Sequence, residues 1–191
     1  MNQSSARPER RSIRMKGFDY SLPGAYFVTI CAHRQKCLFG DVVLGEMKLN
    51  QIGVVVNECW LDIPRHFPNV ELNAHVVMPN HLHELVAIHE TIRAKQGAAP
   101  EARAQHAAPL PRQVLVAGSL PAIIRSFKAA STKCVREVLR EAAFDLWQRN
   151  YYDGVLRNAR ELKNARRYIA ENPSRWHRDK ENPRCEDWLL G

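Results

Sequence analysis

The 191-residue chain has no apolar run approaching the roughly 20 residues that a membrane-spanning helix requires, so no membrane association is expected. Its first residues, MNQSSARPERRSIRMKG, carry charge with no apolar stretch behind it, which is not the pattern of a secretory signal. A cytoplasmic location is therefore expected. No Cys-x-x-Cys pair occurs. The five cysteines, Cys31, Cys37, Cys59, Cys134 and Cys185, are odd in number and scattered, which argues against a disulfide framework and against a thiolate zinc site. They read as small hydrophobes and incidental surface thiols. No serine stands in a recognisable elbow or triad setting, and no internal repeat is present.

Acidic residues are the minority: 20 Asp and Glu face 28 Lys and Arg, leaving a formal charge of +8. That balance favours a polyanionic partner, because each neutralised phosphate releases counterions. The basic residues cluster at Arg7, Arg10, Arg11, Arg14 and Lys16, and again at Arg157, Arg160, Lys163, Arg166 and Arg167. Taken alone, each cluster is equally a solvated tail or helix face.

Along the chain, AYFVTICAHR is β-branched and aromatic and reads as a first strand, followed by a small hairpin in LFGDVVLGEMKLN. IGVVVNECWLDIPRHF has near-helical apolar spacing, and Pro64 limits where that helix ends. VELNAHVVMPNHLHELVAIHE is two apolar runs about a Pro79-Asn80 turn signal, hence a hairpin or bent strand pair. The Ala-, Pro- and Arg-rich stretch from 91 to 113 has no apolar period and reads as a mobile insertion. SLPAIIRSFKAASTKCVREVLREA resumes a helix, with Ser119 as its N-cap. FDLWQRNYYDGVLRN reads as a last strand, and ARELKNARRYIAENP as a helix ending before Pro173. This order matches an α+β, ferredoxin-like antiparallel sheet with helices on one face and one further C-terminal helix appended. The expected organisation is a basic arm at 1–17, a domain at 18–178 and a tail at 179–191.

His81 and His83 open the second run of the hairpin. Side chains alternate along a strand, so the two imidazoles share a face, about 6.6 Å apart along the backbone, and Leu82 faces the core. Two such rings can reach one ion at about 2.1 Å, although many His-x-His triplets bind nothing. Zinc hydrolysis would want a nearby Asp and a third His, and ELVAIHE after His83 supplies no Asp. The alternative is a divalent ion that polarises a scissile phosphate for a protein nucleophile. A phenol suits reversible phosphoryl exchange, and the candidates are Tyr20, Tyr26, Tyr151, Tyr152 and Tyr168. Tyr168 stands out. It lies beside the Leu162/Ala165/Ile169 stripe, follows Arg166 and Arg167, and has Asn172 one turn later on its own face.

These residues together resemble a known family. RRSIRMKGFDYSLPGAYFVTIC, VVMPNHLH, WQRNYYDGVLRN and RRYIAENPSRW resemble, in order, the REP-associated tyrosine transposases, single-tyrosine members of the His-hydrophobe-His endonuclease superfamily. The resemblance implies His81 and His83 as metal ligands, Asn172 as a third, Mg²⁺ or Mn²⁺ as the ion, and Tyr168 as the nucleophile. It implies attack on single-stranded or hairpin DNA through a 5′-phosphotyrosine link, with Lys128 and Arg157 contacting nucleic acid; the charge of the N-terminal cluster alone adds Arg11 to that expectation. The protein would work as a monomer or homodimer. Two positions depart from the family pattern: Glu84 stands where Gly is usual, and Gly154 where the last strand usually carries His. Gly154 motivates the alternative, a DNA-binding protein of the same fold that does not cleave.

Overall fold

A computed structural model describes residues 18–90 and 116–183. Arg11, the rest of the arm and the 91–113 insertion lie outside the described residues. The strands are β1 (Gly24–Cys31), β2 (Gly40–Val43), β3 (Glu46–Leu49), β4 (Val70–Val77), β5 (His81–Ile88) and β6 (Tyr152–Leu156). The helices are α1 (Gln51–Leu61), α2 (Ile63–His66), α3 (Leu120–Leu139) and α4 (Ala159–Glu171), with 3₁₀ turns at His33–Gln35 and Pro173–Arg178. Among the described residues, no helix is long and apolar enough to cross a membrane.

Four strands form one antiparallel sheet in the order β4-β5-β1-β6, while β2 and β3 pair separately as the small hairpin. Alternation along β1 sorts its side chains onto two faces. Tyr26, Val28 and Ile30 are fully buried in a core that includes Val56 and Trp60 of α1 and Ile124 and Phe127 of α3. Trp60 and Phe127 meet edge to face at 5.1 Å, which locks these two helices together on that face. Phe27 and Thr29 point the other way, toward α4. The α+β class stands, with α4 alone on the opposite side of the sheet from α1 and α3.

Local chemistry fixes where the helices begin. Asn50 caps α1 by accepting from the Gly53 N–H at 2.9 Å. Gly53 is required there, since a Cβ would lie 2.1 Å from the Phe39 carbonyl oxygen. Helix α1 stops at Leu61, and Pro64 falls in the first turn of α2. Ser119 occupies the N-cap of α3 as expected, although its hydroxyl donates backwards to the Val116 carbonyl at 2.7 Å and makes no side-chain cap bond. Helix α4 starts with a reciprocal box: Asn158 Oδ1 accepts from Glu161 N, and Glu161 Oε2 accepts from Arg157 N. Arg166 then donates to Asn73 of β4 at 2.7 Å. That cap and cross-link set the register that aims Tyr168 at β5.

One core residue breaks the apolar pattern. Glu84 faces the α1/α3 side and is completely buried. Burial pushes its carboxyl well above the usual range, and the Trp60 indole only partly offsets this. Burial therefore favours its protonated form.

Candidate metal and tyrosine site

The tight turn Met78–Asn80 between β4 and β5 delivers His81 and His83 to the α4 face, with exposures of 0% and 2%. Their Nε2 atoms lie 3.0 Å apart. Two ligands cis on an octahedral ion at about 2.1 Å would be separated by about 3.0 Å, so the pair already holds a ligand spacing. Burial lowers both rings to about 3, helped by the Lys180 ammonium and, for His83, by His81 itself. Both are neutral at pH 7, the form that binds metal.

Hydrogen bonding fixes the tautomers. Asn80 is fully buried and donates its amide to the carbonyls of Gln35 (3.1 Å) and Glu181 (2.6 Å), so its oxygen must accept from His81 Nδ1 at 2.9 Å. That leaves a lone pair on His81 Nε2. The 3.0 Å contact then requires His83 Nε2 to carry a proton, and His83 Nδ1 to accept from the Thr29 hydroxyl at 2.8 Å. An ion held by both Nε2 atoms would require the His83 proton on Nδ1, where the Thr29 oxygen could accept it. Asn80 and Thr29 are thus the orienting partners that histidine ligands need.

The third member of the group is Asp179. One ligand atom each from His81, His83 and Asp179 falls within 4.8 Å of the others, and all three residues are buried. Asp179 arrives because Pro173 ends α4 and the 3₁₀ turn Pro173–Arg178 folds the chain back, setting Trp176 6.0 Å from the His81 ring. Asn172 donates its amide to Asp179 Oδ2 at 3.0 Å, and its Oδ1 is buried with no hydrogen-bond partner. Such an orphaned oxygen, on the amide that holds the carboxylate of the His81/His83/Asp179 group, fits a cation. The candidate donor group is therefore two imidazoles and one carboxylate, with Asp179 as the member that the sequence did not reveal. Asp179, Glu181 and Asn182 are buried against the site, although sequence assigned them to the tail.

Tyr168 stands over this group from α4. Its ring lies edge-on to His83 at 5.1 Å and to Phe27 at 5.9 Å, and its hydroxyl is 3.4 Å from His83 Nε2. Burial, then the Asp179 and Glu181 carboxylates, hold the phenol above its ordinary value, partly offset by a hydrogen bond with Asn172. A cation in the site would oppose that carboxylate charge and favour the phenolate.

The remaining sequence candidates are elsewhere. Lys128 donates to the Gln148 and Asn150 carbonyls at 2.7 and 2.8 Å, and burial lowers its amine to about 8. It fastens the segment leading into β6. Arg157 is exposed at the end of β6, beside the α4 cap. Gly154 lies in β6 directly across from Phe27, on the face that carries His83 and Tyr168.

No protein-family model matches the chain. An uncharacterized Haemophilus influenzae protein is 38% identical over 170 residues, spanning 89% of this chain and 91% of its own. Among solved structures, a REP-associated tyrosine transposase bound to a REP hairpin superposes with a TM-score of 0.53 at 19% identity, covering 91% of this chain and 77% of that one. Fold and site together define an α+β protein with the fold of that transposase, in which a buried His-x-His group faces a helix-borne tyrosine. The chain belongs to the same family as the Haemophilus influenzae protein.

Proposed function

We propose that the protein is a transposase-type nickase that cleaves and rejoins structured single-stranded DNA through Tyr168, with Mg²⁺ or Mn²⁺ held by His81, His83 and Asp179 and with Asn172 as a fourth donor. The observation that carries this reading is the 3.4 Å approach of the Tyr168 hydroxyl to His83 Nε2, an atom of the candidate metal group. Two imidazoles among the donors favour Mn²⁺ over the harder Mg²⁺. The strand order β4-β5-β1-β6, with α1 and α3 in its crossovers, supports the ferredoxin-like form of the fold. The hairpin-bound transposase of the same fold supports hairpin DNA as the partner class.

A bound divalent ion would polarise the scissile phosphate. The chain's own residues do the rest. His81 and His83 enter neutral and pre-spaced, so little reorganisation is needed. Tyr168 loses its proton, its oxygen bonds to phosphorus, and the bond to the 3′-oxygen breaks. The products are a 5′-phosphotyrosine link and a free 3′-OH, and attack by a 3′-OH restores the strand. Exposed Arg157 and the arm carrying Arg11 would grip phosphates, which position DNA without reading its bases. Lys128 would reach DNA only by giving up its two carbonyls.

The test is incubation with labelled hairpin-bearing single-stranded DNA and Mn²⁺, followed by a denaturing gel. A covalent adduct that vanishes in Tyr168→Phe is expected. Binding without adduct on every substrate would instead favour the non-cleaving DNA binder, the reading that the missing side chain at Gly154 motivates.

A further inference from the structure

Glycine inside a strand weakens it and needs a reason. At Gly40 in β2 the reason is steric, because a Cβ would lie 2.1 Å from the Lys48 carbonyl oxygen. Gly154 has no such reason. It lies within β6, its φ is not positive, and a Cβ there would meet nothing within 4 Å. Neither backbone nor neighbours exclude a side chain, so what the glycine preserves is open space.

That space is the floor of a cleft of about 550 Å³ that also touches His83. Phe27, Tyr152, Asn164, Tyr168 and Lys180 line it. Tyr152 and Tyr168, 42% and 40% exposed, are the exposed aromatic side chains among the described residues, and both border this one cleft. Lys180 is the only lysine or arginine in its lining. Asp153, Glu161 and Glu181 also bring carboxylates to this lining, so it is the aromatic walls and the Asn164 amide on an open floor that suit a flat heteroaromatic ring, with Lys180 as the one cation for its phosphate. We propose that this cleft seats an unpaired nucleobase of the DNA strand whose phosphate meets Tyr168, with the base over Gly154, stacked on the tyrosine walls, and its backbone toward Lys180. The proposal rests on the DNA reading above and adds a base-binding subsite that the glycine keeps open.

The test needs no bond cleavage. Affinity is measured in EDTA for an oligothymidylate and for an abasic oligonucleotide of equal length, so that charge is matched and only bases differ. Stacking one base changes affinity by about fivefold or more. Wild type is expected to prefer the base-bearing strand by at least that factor, and Gly154→Leu to lose most of the preference while its Tm holds or rises. If the Gly154→Leu Tm holds and its base preference equals that of wild type, the proposal is overturned. If its Tm falls, Tyr152→Ala decides, since that exposed ring is not needed for the core: lost preference supports the subsite, and kept preference overturns it. A wild type with no base preference also overturns it. Failure of the proposed cleavage chemistry would appear as a missing Mn²⁺-dependent adduct and would leave this binding comparison intact.

Discussion

Strand β5 presents two faces made from alternate residues of one short stretch. Leu82, Val86 and Ile88 enter a closed apolar core against α1 and α3. His81 and His83 enter an equally buried but polar face, where Asn80, Thr29 and Tyr168 meet their ring atoms. Burial is nearly the same on the two sides; what differs is whether polar atoms are answered. Buried polar atoms are tolerated when partnered and costly when not. The α4 face keeps its orphan, Asn172 Oδ1, on the amide that holds Asp179, where a cation in the candidate group would answer it. The core face keeps Glu84, where the Trp60 indole only partly offsets burial and the protonated form is favoured. The difference separates a site from a fold: changes on one face should cost ligand binding, and changes on the other should cost or gain stability.

The sharpest way to break that division is His81→Ala, which removes a direct ligand. Mn²⁺ affinity should fall by more than the roughly 10–100-fold typical of losing an orienting partner, as measured by calorimetry. An unchanged affinity would empty the polar face of its meaning. One residue along, Leu82→Ala should destabilise by about 2–5 kcal/mol in urea while leaving Mn²⁺ affinity of the folded protein unaltered. Thr29→Val keeps the shape but removes the oxygen that must accept the His83 proton on loading. A loss of about 10–100-fold in Mn²⁺ affinity, with little change in Tm, is expected.

The smallest effect concerns Glu84 and has a defined sign. Its folded pKa is raised, so the native state resists ionisation while the unfolded chain ionises near the ordinary 4.5. Stability is therefore greatest below that value and declines as pH rises above it. Glu84→Gln removes the titrating group and should flatten this slope, so that its stability changes less than that of wild type between pH 4 and pH 8. The histidines act in the opposite sense: folded values near 3 against an ordinary 6.5 make stability fall as pH drops below 6.5. Unfolding curves across pH 4–8 for wild type, Glu84→Gln and His81→Ala separate the two slopes.

Much of this was legible because it is local. Period-2 alternation placed His81 and His83 on one face and Leu82 and Glu84 on the other, and the Pro79-Asn80 signal marked the turn that precedes them. Helical spacing placed Tyr168 beside the stripe of α4 and Asn172 one turn on. Asp179 was not legible, because its arrival depends on how a 3₁₀ turn after Pro173 docks against Trp176 and His81, and no periodicity encodes that reversal. Lys128 shows the same limit: its charge is visible in sequence, but the carbonyls of Gln148 and Asn150 that occupy it are not. Ser119 takes the N-cap position its residue type suggests, yet its hydroxyl bonds the Val116 carbonyl.

The most direct test of the central claim is a peptide map of the protein after incubation with hairpin-bearing single-stranded DNA and Mn²⁺, followed by nuclease trimming and mass spectrometry. A nucleotide 5′-phosphate is expected on the peptide that contains Tyr168, absent without metal. A modified tyrosine other than Tyr168, or an adduct formed equally well in EDTA, would contradict it.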